Sequence, residues 1–245
     1  MAEDPHLWMV TGAASGIGAA VTRMARGTGA RVLALDVNDA DGSVLAAETG
    51  ADFRHCDVSS PHDWQGVVDV LTDLGTPTHV HLNAGIQIAP PSAPLSDYQL
   101  EAATLERYRR MMGVNVDGVV LGLKALLPIL ERGAAIVVTA SLAGITPYAV
   151  DPLYAMSKHA IVGLVRSLGP TLAERGVRIN AICPGGIDTA IIPNEQRTDS
   201  AVFMTPEQVA AEVAYLMSVQ ETGKAWAKVR EDKPVFIVRA PGDKS

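Results

Sequence analysis

Thr11-Gly12-Ala13-Ala14-Ser15-Gly16-Ile17-Gly18 lies between an apolar run, Leu7 to Thr11, and a helical-period segment from Gly16 to about Gly29. Strand, glycine loop and helix in that order make the first turn of a βαβ unit, in which glycines permit a tight bend and let backbone N–H groups approach a pyrophosphate at the helix N-terminus. The spacing Gly-x-x-x-Gly-x-Gly departs from the commoner Gly-x-Gly-x-x-Gly, so by itself it also suits a glycine-rich turn with no ligand. Asp36 adds to it. This acid ends the next apolar run, Arg31 to Asp36, where a carboxylate accepts hydrogen bonds from both hydroxyls of an adenosine ribose. Its charge opposes a 2′-phosphate of about two negative charges, and no Arg follows it. The loop and the acid together favour NAD over NADP; the bland reading of Asp36 is a solvated strand end or helix cap.

Outward from that unit the same alternation continues. Ala51 to Cys56, Thr78 to Leu82, Ala134 to Thr139, Val177 to Ile182 and Pro234 to Val238 read as five more strands, with helices at about 61–74, 101–131, 152–174 and 206–218. Continuously apolar strands suit a sheet covered on both faces, so the pattern predicts an α/β, doubly wound Rossmann-type fold with a seven-stranded parallel sheet. The 245 residues fit a single domain over 1–245. A net charge of −7 excludes a protein that tracks nucleic-acid phosphates with a basic face. Two cysteines, Cys56 and Cys183, are too few for a disulfide scaffold or a Cys-rich zinc site. No metal is expected. The acidic opening Met-Ala-Glu-Asp-Pro precedes only a short apolar run, which fits neither a signal peptide nor a membrane span. A soluble, cytoplasmic protein with no membrane or nucleic-acid partner is the expectation.

Tyr154-Ala155-Met156-Ser157-Lys158 places a phenol and an ammonium on one helical face. The helix continues with Ala160-Ile161-Val162-Gly163-Leu164-Val165, apolar around its circumference, so the lysine is predicted to be buried and to need partners. The bland alternative is a core tyrosine beside a snorkelling lysine. A phenol with a pKa of about 10 is a poor base at neutral pH, and an ammonium about 4 Å away lowers that value by roughly one to three units. Ser141, at the end of the fifth strand, is placed to donate to a substrate oxygen as its charge develops, or else simply to cap a turn.

Taken together and in order, these residues resemble the short-chain dehydrogenase/reductase family from about Leu7 to Leu216. The resemblance implies the strand order 3-2-1-4-5-6-7. It matches Asn115, Ser141, Tyr154 and Lys158 to the family's catalytic tetrad. The segment Gly12, Ser15, Gly16, Ile17 and Gly18 matches the cofactor loop, Asp57-Val58 the adenine-contacting pair, and Asn83-Ala84-Gly85 the fourth-strand motif. Pro184, Gly185, Ile187 and Thr189 fall in the segment that meets the nicotinamide. By the same resemblance Asn115 interrupts a helix and holds a water through its backbone, Lys158 also bonds the nicotinamide ribose, and the chain forms a homodimer or homotetramer through the helices around 101–131 and 152–174.

The expected activity is therefore NAD-dependent hydride transfer between the nicotinamide and a secondary alcohol or ketone. The rivals are NADPH-dependent carbonyl reduction by the same machinery, and a non-catalytic dinucleotide-binding sensor. Ile86, Ile88, Leu142, Ile145, Val150, Ile187, Ile191, Ile192 and Phe203 predict a mostly apolar substrate pocket. Residues 187–205 are predicted to form a substrate-binding lid, with Arg197 a solvated loop charge. The proline-bearing stretch Ile86 to Leu100 suits either a surface loop or a substrate contact. The C-terminal Lys233 to Gly242 lacks the family's usual Asp-Gly-Gly ending.

Overall fold

The predicted apolar runs fold into one twisted sheet in a computed structural model that describes residues 6–198 and 201–240. The strands are β1 (Leu7–Thr11), β2 (Arg31–Asp36), β3 (Asp52–His55), β4 (His79–Leu82), β5 (Ala135–Thr139), β6 (Arg178–Pro184), β7 (Lys224–Lys228) and β8 (Phe236–Val238). The helices are α1 (Gly16–Gly27), α2 (Asp39–Thr49), α3 (Pro61–Leu74), α4 (Leu105–Met112), α5 (Gly118–Leu126), α6 (Pro152–Glu174) and α7 (Pro206–Ser218). The sheet order is β3-β2-β1-β4-β5-β6-β7-β8. All neighbours pair in parallel except β7 and β8.

Alternation along the strands divides the core between two faces. Met9, Leu33 and Leu35 pack with Trp64 and Val67 of α3, Leu123 of α5 and Ile161 and Val165 of α6. Their strand neighbours Trp8, Val10, Val32 and Ala34 point the other way, against Val21 of α1 and Val209 and Val213 of α7. This is the two-faced covering that continuous apolar strands demand. The order reverses at β1, between β2 and β4, so the loops leaving β1 and β4 diverge and open a crevice at the carboxyl ends of the strands.

Three element readings are corrected. The seventh parallel strand is Lys224–Lys228, and the strand read at Pro234–Val238 is an eighth, antiparallel one. A short Lys-Ala-Trp-Ala-Lys run with a lysine at each end hides its burial from hydropathy. Lys228 is buried because Glu212 pairs with it at 2.7 Å and the carbonyl of Lys233 accepts from it at 2.8 Å. Helix α2 was not expected because it buries only Gly42 and Leu45 and so carries no apolar stripe. Its ends are set by the Asn38 side chain, which accepts from the Asp41 N–H, and by left-handed Gly50. The helix predicted over 101–131 is divided into α4, a π-helical turn at Gly113–Asp117, and α5.

Cys56 and Cys183 are free and buried. No helix among the described residues is long and apolar enough to cross a membrane. The reading of the first five residues, and the end of the Lys233 to Gly242 tail, lie outside the described residues.

Candidate active site

Every helix that leaves a loop must satisfy its first N–H groups. Asn38, Ser60, Thr104, Asp151 and Thr205 do so with their side chains for α2, α3, α4, α6 and α7. At α1 the Ser15 side chain makes no capping bond, and no acid stands in the first turn. An uncapped N-terminus beside a glycine loop fits a phosphate group. Gly12 is held at φ 63° against Ala84, where a Cβ would come within 2.9 Å of the Ala84 Cα. A Cβ on Gly18 would fall 2.0 Å from the Gly12 carbonyl oxygen, so the helix rests directly on the loop only because Gly18 has no side chain.

The loop opens into a cleft of about 1040 Å³ at the carboxyl ends of the strands. Gly12, Ser15, Gly16 and Ile17 line it after β1, Asp36 after β2, Asp57 and Val58 after β3, and Asn83, Ala84 and Gly85 after β4. Ser141 joins from the end of β5, Tyr154 and Lys158 from α6, and Pro184, Gly185, Ile187 and Thr189 from the end of β6 onward. Of the catalytic and cofactor residues read from the sequence, Gly18 and Asn115 do not line the cleft.

Asp36 is engaged on both oxygens. Oδ2 accepts from the Ala14 N–H at 2.9 Å and Oδ1 from the Asn38 N–H at 2.9 Å. The carboxylate therefore braces the glycine loop while still bordering the cleft, and the capping reading and the ligand reading are both compatible with its geometry. Asp57 turns one oxygen to the Ser59 N–H and hydroxyl, at 2.9 and 2.7 Å.

Asn115 is the third residue of the π-helical turn, and its side chain faces inward. It accepts from the Ile86 N–H and donates to the Ile86 carbonyl, both at 2.8 Å, and donates to the Ser157 hydroxyl at 3.0 Å. It thus ties the loop after β4 to α6.

Lys158 is 3% exposed and donates to the Thr139 carbonyl at 2.8 Å. Its Nζ lies 5.5 Å from the Tyr154 ring centroid. A Cβ on Gly85 would come within 3.2 Å of that nitrogen, which explains a glycine there. Burial lowers the Lys158 pKa to about 8. Burial also drives the Tyr154 phenol above its ordinary value, while a hydrogen bond with the Ser141 hydroxyl pulls the other way. The lowering of the phenol expected from its lysine is not found: burial sets the direction.

The lysine's depressed pKa has a consequence for stability. Below pH 8 Lys158 is charged both folded and unfolded, and the buried charge opposes folding in full. Between pH 8 and 10.5 the folded chain releases the proton first, so stability rises with pH. Relative to a Lys158→Met variant, the protein without dinucleotide should gain up to about 3 kcal/mol across that window. Denaturant unfolding of both proteins at pH 7 and pH 10 measures it; a difference independent of pH would contradict the burial account.

Several functional neighbours went unread in the sequence. Thr139 contributes twice: its carbonyl holds Lys158, and its hydroxyl donates to Asn83 Oδ1 at 3.0 Å. Asn83 in turn donates to the Gly12 carbonyl at 3.3 Å. Asp151 is fully buried, accepting from the Tyr154 N–H at 2.8 Å and the Ile88 N–H at 3.0 Å. Its Asp-Pro position is a helix-start signal that reading could have used.

At the substrate end, Ile86, Ile88, Leu142, Ile187, Ile191, Ile192 and Phe203 line the cleft, whereas Ile145 and Val150 do not. Polar Gln87, Tyr148 and Gln196 complete the wall, and Arg107, Arg109 and Arg110 of α4 border it. The stretch after Gly85 is thus part of the cleft through Ile86 to Pro91. Residues 187–198 are fastened over it. Asn194 N–H donates to the Pro91 carbonyl at 2.8 Å, and Gln87 Nε2 to the Ile191 carbonyl at 2.9 Å. Arg197 is exposed, in keeping with a solvated loop charge, and it also pairs with Asp188 at 2.6 Å and lies 5.8 Å from the Phe203 ring centroid, bracing the segment.

The chain belongs to the short-chain dehydrogenase/reductase family of oxidoreductases, whose members bind a nicotinamide dinucleotide. The family profile that matches residues 12–225 is described as enoyl-(acyl carrier protein) reductase. Among its relatives, 2,5-dichloro-2,5-cyclohexadiene-1,4-diol dehydrogenase of Sphingobium indicum is 31% identical over 228 residues, covering 86% of this chain and 88% of that one. (+)-Borneol dehydrogenase 2 of Salvia officinalis is 30% identical over 241 residues, covering 86% and 82%. The solved structure of 3-ketoacyl-(acyl-carrier-protein) reductase from Brucella melitensis, complexed with NADH, superposes with a TM-score of 0.80 at 26% identity, covering 91% of this chain and 96% of that one.

Proposed function

We propose that the protein is an NAD-dependent dehydrogenase of secondary alcohols. The observation that carries this reading is the buried Tyr154–Lys158 pair on one face of α6, with Ser141 opposite, in a cleft that begins at an uncapped glycine loop. A buried lysine without an acidic partner among the described residues is costly to maintain, and a role in proton transfer accounts for it.

In this reading the N–H groups at the start of α1 hold the pyrophosphate, and Asp36 accepts from the adenosine ribose. Asp57 and Val58 border the adenine, with Asn83, Ala84 and Gly85 beneath the cofactor's midsection. Pro184, Gly185, Ile187 and Thr189 border its reactive end. When bound, the nicotinamide supplies the hydride acceptor. Ser141 donates to the substrate oxygen, and Tyr154 takes the hydroxyl proton. Lys158, released from part of its desolvation cost by a ribose hydroxyl, holds the phenol's developing charge. Asn115 keeps α6 and the loop after β4 in register, and the segment 187–205, of which 199 and 200 lie outside the described residues, acts as a lid that excludes water from the transfer.

The names of the relatives support small cyclic alcohols as the substrate class. The apolar part of the wall supports the same choice. An absorbance screen for NAD reduction over secondary alcohols of graded size tests the reading. Specificity constants should rise about fourfold per added methylene, from roughly 0.8 kcal/mol each, until the pocket is full. Tight NAD binding without turnover across the panel would overturn it in favour of a sensor. The rival reading, NADPH-dependent carbonyl reduction by the same machinery, would be established by a lower Michaelis constant for NADP than for NAD.

A further inference from the structure

Asn38, Ser60, Thr104 and Thr205 cap their helices with uncharged side chains, all at least partly exposed. Asp151, which caps α6, is an acid and is 0% exposed. Both of its oxygens accept from backbone N–H groups, the bonding of an ionised carboxylate, and it has no ion-pair partner among the described residues. Burial raises its pKa above the ordinary carboxylate value, opposed by the N–H groups of Ile88, Tyr154 and Leu153. Serine or threonine would cap the helix without a buried charge, so capping alone does not account for this residue.

The second oxygen accounts for it. Oδ1 accepts from the Tyr154 N–H in the first turn of α6, whereas Oδ2 reaches 63 residues back along the chain to the Ile88 N–H. Ile88 borders the cleft, and its side chain packs in one buried cluster with Tyr98, Met111 and Tyr154. The loop after β4 has other anchors: Asn115 holds Ile86 by both its N–H and its carbonyl, and the Tyr98 hydroxyl donates to the Pro90 carbonyl at 2.7 Å. Those bonds join neutral groups. The carboxylate is bonded directly to both the wall and the turn that bears Tyr154, and a hydrogen bond to a charged group is about twice as strong as a neutral one.

We propose that Asp151 is a positioning residue of the substrate pocket, its single carboxylate setting the distance between the apolar wall at Ile88 and the phenol of Tyr154. This rests on the dehydrogenase reading for the role of Tyr154, and it deepens that reading by naming what fixes the space left for the alcohol. The groups assigned to NAD at the start of α1, at Asp36 and at the end of β6 stand on other elements. Loosening the clamp therefore falls on the alcohol and spares the dinucleotide.

Asp151→Ser keeps a capping oxygen for α6 and removes the acceptor of the Ile88 N–H. Asp151→Asn also keeps the cap but turns an amide NH2 toward that N–H, and it replaces the serine variant if the latter does not fold. Hydrogen exchange followed by NMR should show the Ile88 amide exchanging at least about tenfold faster in the variant, the worth of one hydrogen bond to a charged group, with the Tyr154 amide still protected. Kinetics use the secondary alcohol that the wild type oxidises best in a graded series beginning at cyclohexanol. KM should rise about 10- to 100-fold and kcat should change less than KM, while NADH affinity by fluorescence titration stays within about twofold. Unchanged Ile88 exchange or an unchanged KM overturns the proposal. A KM rise matched by an equal loss of NADH affinity also overturns it, because the residue would then serve only the fold. A wild type that oxidises no alcohol, with the exchange pattern intact, keeps the clamp and removes the dehydrogenase reading.

Discussion

Tyr154→Phe should lower turnover by about 100- to 10,000-fold, the range that a positioned acid or base contributes, while NAD affinity stays within a few-fold. The substitution removes one oxygen and leaves the ring, which is buried and packed edge-on to Tyr148. The α1 N-terminus, Gly12 and Asp36 lie on other elements and are untouched. Loss of kcat without loss of cofactor binding is the signature of an interaction made in the transition state alone. Stopped-flow absorbance for turnover and fluorescence titration for NAD measure the two quantities separately. Near-normal turnover would remove Tyr154 from the proton path.

The second large effect concerns the cofactor. The wild type should prefer NAD, and Asp36→Ala should shift the NAD to NADP specificity ratio by about 30- to 1,000-fold, equivalent to about 2–4 kcal/mol for two charge-assisted hydrogen bonds. The structure adds a complication to the sequence argument. Asp36 also accepts from the Ala14 and Asn38 N–H groups, so the alanine variant loosens the glycine loop and should weaken both dinucleotides somewhat. The ratio of specificity constants isolates the charge effect from that common loss. A wild-type preference for NADP would refute the role assigned to Asp36.

What could be read from the sequence was what is local in it. The glycine loop, the strand-end acid and the Tyr154–Lys158 spacing each occupy a few consecutive residues, and continuous apolar strands announce a sheet covered on both faces. The structure brings these residues to one cleft. What could not be read depends on pairs far apart in the chain. Gln87 meets the Ile191 carbonyl across 104 residues, and Tyr148 meets Gln196 across 48. Neither residue type carries a signal of its own, so the substrate wall looked more apolar than it is. The contacts that exposed Arg197 makes with Asp188 and Phe203 were hidden because these residues become its neighbours only when the segment folds on itself. Strand β7 was hidden for a similar reason: the ion pair that allows Lys228 to be buried comes from Glu212 on α7.

The antiparallel β8 also bears on how molecules meet at high concentration. An open sheet ends in two unpaired backbone edges, each a template for strand addition by another chain and hence for aggregation. Had β7 been the last strand, five residues of mostly apolar ladder would stand free. Instead a three-residue strand running the opposite way covers it. At the far end, β3 is only four residues long and carries Asp52, Arg54 and His55. Both borders of the sheet therefore offer an incoming strand little backbone to grip, and one of them surrounds that backbone with charge.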